Sequence, residues 1–305
     1  WSLQNYEFNV TAAKKVSNRF SYGLKLLYDG DLSFKINDTR NNQISFITDL
    51  ILSGTYDFQN GNLISIGLDY NRVKTEPTLS NKFLHSDAEL YIRYLNTGLG
   101  SYIKNIDYNV TIHNNTFGSI VQWVKETNNS TYSAIYEFFS GEETYINKRL
   151  TNINDQKEIL NYKHITHKAR ISTLNNISGK FLSTCLNFRL LSGEGGQWST
   201  SSSTYLKNYS VDILEADFRM TLYNPSSFLR RVNLETRLED VSKLDKNYGY
   251  QFSYSNMRVG LNTELLLRQK SIRTGLMIGL LYGKNLDNLN FPNAALGNIY
   301  TTFTS

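Results

Sequence analysis

Residues 208–240, NYSVDILEADFRMTLYNPSSFLRRVNLETRLED, contain the pattern that decides the fold. In the first half apolar and polar residues alternate, with Leu214, Ala216, Phe218, Met220 and Leu222 on one side and Glu215, Asp217, Arg219 and Thr221 on the other. After a turn at 224–227 the alternation resumes, with Val232, Leu234, Thr236 and Leu238 against Arg231, Asn233, Glu235, Arg237 and Glu239. Successive side chains of a strand point to opposite faces, so the stretch predicts two long paired strands with an apolar and a charged face.

The composition limits the class of protein. The chain has 305 residues, a net charge of +5 and a single cysteine, Cys185, so an intrachain disulfide is excluded. Acidic and basic residues alternate, and no run of five or more Lys or Arg residues occurs. Nucleic-acid binding is therefore not predicted, because phosphate contacts need a clustered basic surface. No apolar run approaches the roughly 20 residues of a membrane-spanning helix.

The same alternation recurs along most of the chain, in segments of roughly 11–16 residues, whereas globular strands are commonest at roughly five to six. Short and long connections alternate between the predicted strands. The short ones lie near 59–62, 96–100, 175–179, 224–227 and 269–270, and the long ones near 29–42, 75–84, 113–130, 192–207, 241–252 and 285–296. The segments 131–139 and 144–152 alternate poorly, so a strand pair around 140–143 and a short helix within 140–160 both stay open.

Aromatic residues collect toward the ends of the predicted strands, where their amphipathic rings suit the level of lipid headgroups: Tyr28, Tyr56, Phe58, Tyr70, Tyr94, Tyr102, Tyr223, Phe228 and Tyr282. Long strands, alternating connection lengths and aromatic ends are typical of outer-membrane barrels. We therefore expect an all-β fold, a transmembrane antiparallel up-and-down β-barrel of about 14–16 strands, with residues 1–305 as a single domain. A soluble β-sandwich or solenoid is the alternative, since a soluble sheet also alternates.

The charged faces of the C-terminal strands are the candidate site. They predict a lumen-lining charged wall composed of Glu215, Asp217, Arg219, Arg231, Glu235, Arg237, Glu239, Arg258, Glu264, Arg268 and Arg273. One interpretation is a surface that sets ion selectivity or orients an anionic solute. The other is a set of ion pairs that satisfies a polar interior, because opposite charges on neighbouring strands pair readily.

No residue pattern indicates catalysis. His164 and His167 form His-x-x-His, but on a strand the two rings point to opposite faces, so a shared metal ion is not predicted. The glycine-rich segment 192–196 is neither a nucleophile elbow nor a phosphate loop. Cys185 falls on the lumen-facing side of its strand. We therefore predict no catalytic residue, no metal and no cofactor.

The alternating turns and loops, the Asn/Lys/Tyr-rich loops and the long Tyr-edged strands resemble outer-membrane barrels of Bacteroidota. The resemblance implies a location in the cell outer membrane, contact with its lipid, and partners such as surface lipoproteins or another outer-membrane protein. No plug-domain pattern precedes the first strand, and Phe303-Thr304-Ser305 lacks the terminal aromatic residue of barrel-assembly substrates. We therefore expect a barrel that is incomplete at either terminus.

The expected function is that of a non-enzymatic outer-membrane β-barrel serving as a structural or partner-binding component of an envelope complex, with loops such as 113–130 and 192–207 as contact surfaces. The alternative is a porin-like channel for a small solute with a charged lumen.

Overall fold

Twelve long strands and two short ones make up the part of the chain that the computed structural model describes. The described residues are 2–34, 42–78, 94–96, 102–104, 110–147, 158–199, 204–225, 229–246, 250–269 and 272–285. The strands are β1 (Ser2–Lys15), β2 (Phe20–Phe34), β3 (Asn42–Asp57), β4 (Asn62–Thr78), β5 (Tyr94–Asn96), β6 (Tyr102–Lys104), β7 (Val110–Glu126), β8 (Ser130–Asn147), β9 (Glu158–Ile177), β10 (Lys180–Ser199), β11 (Thr204–Tyr223), β12 (Leu229–Asp245), β13 (Tyr250–Gln269) and β14 (Ile272–Asn285).

The long strands form one antiparallel sheet in the order β1-β2-β3-β4-β7-β8-β9-β10-β11-β12-β13-β14, and β5 pairs with β6 apart from it. Every strand of the large sheet lies beside its neighbour in sequence, apart from the inserted β5–β6 pair. The prediction of an all-β, antiparallel, up-and-down fold is confirmed, and in the described ranges the large sheet has twelve strands, against the predicted barrel of about 14–16. In the described ranges β1 and β14 are each paired on one side only, so the sheet has two free edges.

Two segments that the sequence predicts as long loops are strands. Residues 113–130 fall mostly within β7, which carries Trp123, and residues 192–207 are largely the ends of β10 and β11. The poorly alternating segment around 140–143 lies inside the single strand β8, so the strand pair around it and the helix at 140–147 are both wrong. The predicted turns near 59–62, 175–179 and 224–227 do join neighbouring strands. The predicted loop at 285–296 lies outside the described residues, except for its first residue, which ends β14.

The two faces of the sheet differ in chemistry, and the strand register extends each face from strand to strand. We call the side of β10 with Leu186, Phe188 and Leu190 the apolar face, and the side with Cys185, Asn187 and Arg189 the charged face. Nearly all of the exposed large hydrophobic side chains lie on the apolar face, including Ile66 at 57%, Leu68 at 60% and Phe117 at 63% exposure.

The buried side chains lie mainly on the charged face, and they include Tyr145, Tyr162, Thr166, Tyr209, Val211 and Val241. In the described ranges no second layer packs on either face of the sheet. A single sheet buries side chains on one face only when it curves toward that face and crowds them together. The sheet is therefore curved around its charged face, which is the curvature of a barrel wall.

Glycines on the charged face make room for aromatic rings of the next strand. A Cβ atom at Gly193 would overlap the phenol ring of Tyr162, one at Gly141 would overlap the imidazole of His164, and one at Gly118 would overlap the ring of Phe139. Tyr162 packs with Tyr209 and Val211 in the principal buried cluster. These glycines leave the space that the rings of the neighbouring strands occupy.

The apolar face is a band of limited height. It runs from Leu182 to Leu190 in β10 and from Leu214 to Leu222 in β11, about nine residues each, close to the roughly 9–11 that a tilted strand needs to cross a bilayer. Beyond Leu190 the same face turns polar, with Ser192 and Glu194. β10 and β11 therefore continue past the apolar band at the end that lies away from the turns near 175–179 and 224–227. No helix within the described ranges is long and apolar enough to span a membrane.

Candidate functional site

The predicted charged wall lies on one face of β11–β14, as the sequence indicates. The register places Glu215 opposite Glu239, Asp217 opposite Arg237, and Arg219 opposite Glu235 between β11 and β12. It places Arg237 opposite Arg258 and Arg231 opposite Glu264 between β12 and β13, and Arg268 opposite Arg273 between β13 and β14. The side chains of Arg268 and Arg273 lie outside the described part of the structure, so only their backbone pairing is known.

Glu215 is the centre of the ion-pair network on this wall. Its carboxylate accepts from Arg189 Nη1 at 3.2 Å and from Arg237 Nη2 at 3.1 Å, so it joins β10, β11 and β12. Closer to the turn between β11 and β12, Arg219 Nε lies 3.1 Å from Glu235 Oε1. These side chains are between 23% and 55% exposed, so each pair contributes at most about 1 kcal/mol to stability and the wall stays hydrated.

A second group of charges lies at the end of the wall next to the turn between β11 and β12. Glu264 lies 3.5 Å from Arg230 Nη1 and 3.8 Å from Arg231 Nε. Both guanidinium groups also lie over the ring of Tyr223, at 5.5 and 5.6 Å from its centroid. Arg230 is recruited because the register shifts between Leu229 and Arg231, so a residue that simple alternation assigns to the apolar side contacts Glu264.

The charged face continues onto β8–β10, which the sequence interpretation did not include in the wall. A depression of about 470 Å³ is lined by residues of the wall together with Glu137, Lys168, Arg170, Asn187 and Arg189. Arg170 Nε donates to Asn187 at 2.7 Å, and the Asn187 amide donates to Asp217 at 2.8 Å. For Asn187 and Arg189 the signal was present in the sequence, because they share the parity of Cys185 on β10; Cys185 itself lies opposite Ser172 and Arg219.

On the charged face of β9–β13 the described cations outnumber the carboxylates, and at the opposite end of the sheet the balance is reversed. On the charged face of β1–β4 carboxylates outnumber cations, with Glu7, Asp29, Asp31, Asp49, Asp57 and Asp69 against Lys15 and Lys25. Among these residues one ion pair forms, between Lys25 and Asp49, with Nζ and Oδ2 3.8 Å apart. We call β1–β4 the acidic arc and β9–β13 the basic arc of the charged face.

The two histidines of His-x-x-His point to opposite sides of β9, as predicted. His164 lies on the charged face against Gly141, while His167 lies on the apolar face, where its Nδ1 is 2.7 Å from the hydroxyl of Tyr136. Within the described residues no group of three His, Cys, Asp or Glu side chains is arranged to hold a metal ion.

Comparison with known proteins gives distant structural likenesses and a family. P. aeruginosa FpvA in complex with a heterologous pyoverdine and iron is similar with a TM-score of 0.46 and 10% identity, over 88% of this chain and 41% of that chain. The Ralstonia pickettii toluene transporter TbuX has a TM-score of 0.33 and 10% identity, over 88% of this chain and 78% of that one. The chain thus spans about two fifths of the length of FpvA. No curated protein matches. A family model matches residues 1–303, and the chain belongs to that family, DUF6850, a family of unknown function.

Proposed function

We propose that the chain forms the wall of a non-enzymatic β-barrel in the outer membrane of a Gram-negative bacterium, with a hydrated, charged interior that passes a small polar solute. This is the channel alternative of the sequence analysis. From the resemblance described in the sequence analysis, the proposal also assigns this bacterium to the Bacteroidota. The observation that carries it is the difference between the two faces of the same strands, one apolar and exposed, the other charged and partly exposed.

Lipid is the environment that fits the apolar face. Large side chains such as Ile66, Leu68 and Phe117 are more than half exposed, and they belong to a continuous surface that extends over most strands of the sheet. Soluble monomers rarely expose contiguous apolar patches of more than a few hundred Å². The neighbouring strands satisfy one another's backbone groups, which is the condition for placing a sheet in hydrocarbon.

Closure follows from the same condition. The outward backbone groups of β1 and β14 have no strand partner in the described part of the chain, and lipid offers them no hydrogen bonds. In an up-and-down sheet of this order β1 and β14 run in opposite directions, as antiparallel pairing requires. The proposal therefore includes pairing of these two edges, either with each other or through further strands.

The charged face would then line the lumen. A barrel of twelve or more strands is wider than the eight-stranded barrels that side chains fill, so its interior holds water unless a plug occupies it. The acidic and basic arcs lie at different ends of the sheet and would face different parts of the lumen. Their fields would orient a dipolar solute and set the preference for ions.

The structural or partner-binding role stays a second candidate because the strands extend beyond the apolar band. Their polar ends carry Glu142, Lys163, Glu194 and Lys207, with Lys163 Nζ 3.3 Å from Glu142 Oε1. The Asn161 amide, 2.7 Å from Glu142, and the nearby Lys163 lower the pKa of that carboxyl. A surface lipoprotein or another outer-membrane protein would contact these ends. Segment 192–207 would contribute to this surface through the ends of β10 and β11, and segment 113–130 is largely strand β7.

The test is ion conduction by the full-length protein in planar lipid bilayers. We expect discrete conductance steps. Changing Asp49→Asn together with Asp69→Asn should shift the reversal potential under a salt gradient toward anion preference, and Arg219→Gln should shift it toward cation preference. Both shifts should fade at high salt, because the charges act through water.

The matched control is Lys163→Gln, which removes a charge from the polar end of the apolar face and should leave the reversal potential unchanged. A correctly folded protein that carries no current would contradict the channel and leave the partner-binding role. If the substitutions in the acidic and basic arcs left the reversal potential unchanged, the ions would take a path outside this charged face.

A further inference from the structure

The carboxylates that β11 and β12 contribute to the wall are all engaged by groups other than Arg258. Glu215 accepts from Arg189 and Arg237, and Glu235 is paired with Arg219. Asp217 accepts from Asn187 at 2.8 Å, and Glu239 accepts from the hydroxyl of Tyr254 at 3.0 Å. Arg258 itself is exposed and, among the described residues, makes no ion pair or side-chain hydrogen bond.

The strand register places this arginine directly opposite another one. Arg237 of β12 and Arg258 of β13 are cross-strand partners on the charged face. Like charges directly opposite each other on neighbouring strands destabilise a sheet. The wall contains two further pairs of this kind. Arg268 lies opposite Arg273, and their side chains are outside the described part of the structure. Glu215 lies opposite Glu239, and Arg189, Arg237 and Tyr254 hold those two carboxylates. For Arg258 the described structure offers no such compensation.

The positions next to Arg258 on β13 and β14 are glycines. Its cross-strand partner on β14 is Gly283, and the next residue on the same face of β13 is Gly260. Glycine has no side chain, so the two positions that flank the guanidinium on these sides carry only backbone. The depression described above reaches Arg237 from the other side, through Asp217 and Asn187.

From these observations we propose that Arg237 and Arg258 form a clamp for an oxyanion, the phosphate or carboxylate group of a solute in the lumen. The planar guanidinium forks of two adjacent arginines offer parallel N–H donors that match the oxygens of such a group. The anion supplies the negative charge that Arg258 lacks, while Arg237 keeps its ion pair with Glu215. The clamp rests on the proposed function only in that water and solutes reach the charged face.

The probe is inorganic phosphate, and its binding to the detergent-solubilised full-length protein is measured by calorimetry and by phosphorus NMR. We expect saturable binding that Arg258→Gln weakens roughly tenfold or more, because charge-assisted hydrogen bonds are lost. Arg258→Lys keeps the charge but not the guanidinium fork, so its phosphate affinity should lie between that of the native protein and that of Arg258→Gln. Acetate as a second probe distinguishes phosphate from carboxylate as the preferred group.

Two controls separate the clamp from a general effect of charge. Lys168→Gln removes a cation from the same face, but Lys168 is paired with Glu137 at 3.7 Å, so phosphate binding should weaken by less than about threefold through the long-range field alone. Lys163→Gln at the polar end of the apolar face should change nothing. Undiminished phosphate binding in Arg258→Gln would overturn the clamp. So would equal losses in Arg258→Gln and Lys168→Gln.

The outcome is independent of conduction. Loss of phosphate binding in Arg258→Gln from a protein that carries no current would support the clamp and contradict the channel. Current that phosphate neither blocks nor alters, in a protein that shows no phosphate binding by calorimetry, would contradict the clamp and leave the channel standing. If Arg258→Gln does not fold, Arg258→Lys decides, because the charge is retained and only the fork is lost.

Discussion

Replacing Leu186 by arginine is expected to destabilise the membrane-embedded protein by about 2–4 kcal/mol, because that is the cost of an arginine near the middle of a bilayer on a lipid-facing strand position. Leu186 lies midway along the apolar stretch Leu182–Leu190 of β10 and is 46% exposed. The measurement is the free energy of unfolding in urea, with the full-length protein folded into lipid vesicles.

The matched control is Ser183→Arg on the opposite face of the same strand. Ser183 faces the side of Asn187 and Arg189, where water is expected, so this substitution should change the free energy of unfolding by less than about 1 kcal/mol. Equal costs for the two substitutions would mean that both faces meet the same environment. A larger cost for Ser183→Arg would place lipid, or a packed core, on the charged face.

The second large effect is expected from Gly193→Val, with a loss of about 1–3 kcal/mol, the usual cost of overpacking a well-packed site. A side chain at Gly193 would occupy the space of the Tyr162 ring, which is only 7% exposed and packs with Tyr209 and Val211. The ring would have to move away from Gly193, and its packing with Tyr209 and Val211 would be lost. The same urea titration measures the effect.

A double-mutant cycle shows whether the ring is the cause. In a Tyr162→Ala background the space at Gly193 is free, so Gly193→Val should then cost almost nothing. If valine at position 193 costs the same with and without the ring, the effect comes from the strand itself and not from the contact between Tyr162 and Gly193. Gly179, where an added Cβ would meet nothing within 4 Å but φ is +81°, gives the cost of backbone strain alone.

The alternation of residues was enough to predict the faces of β11 and β12, and with them the position of Glu215, Asp217 and Arg219. It was enough because, from Leu214 to Leu222 and from Val232 to Leu238, one face is apolar apart from Thr236 and the other is polar. Where both faces of a strand carry apolar residues, the sequence does not alternate between apolar and polar residues. In β7, Ile120 and Val124 lie on the charged face beside Val121 and Trp123 on the apolar face, so the strand was mistaken for a loop.

The glycine-rich segments were misinterpreted for a different reason. Gly141 and Gly193 look like turn residues in the sequence, yet both lie inside long strands. Their role is to receive His164 and Tyr162 from β9, and local sequence does not show which ring will lie across a given glycine. The same limit applies to the site. The parity of Arg258 was predictable, but its lack of a carboxylate partner depends on how three other strands distribute theirs.

Cys185 offers the most direct test of the central claim that one face of each strand meets lipid and the other meets water. The chain's single cysteine lies on the charged face, between Ser172 and Arg219, while the next residue, Leu186, lies on the apolar face. A charged, membrane-impermeant thiol reagent is applied to the full-length protein in vesicles. The native cysteine should react, and an anionic reagent should react several-fold faster than a cationic one beside Arg219 and Arg189.

In the paired variant Cys185→Ser with Leu186→Cys, the thiol should be protected in the membrane and become reactive only after unfolding. That pattern, reactive at 185 and protected at 186, is what an apolar face in lipid and a hydrated charged face require. The reverse pattern, or equal reactivity of both thiols in the folded protein, would contradict it.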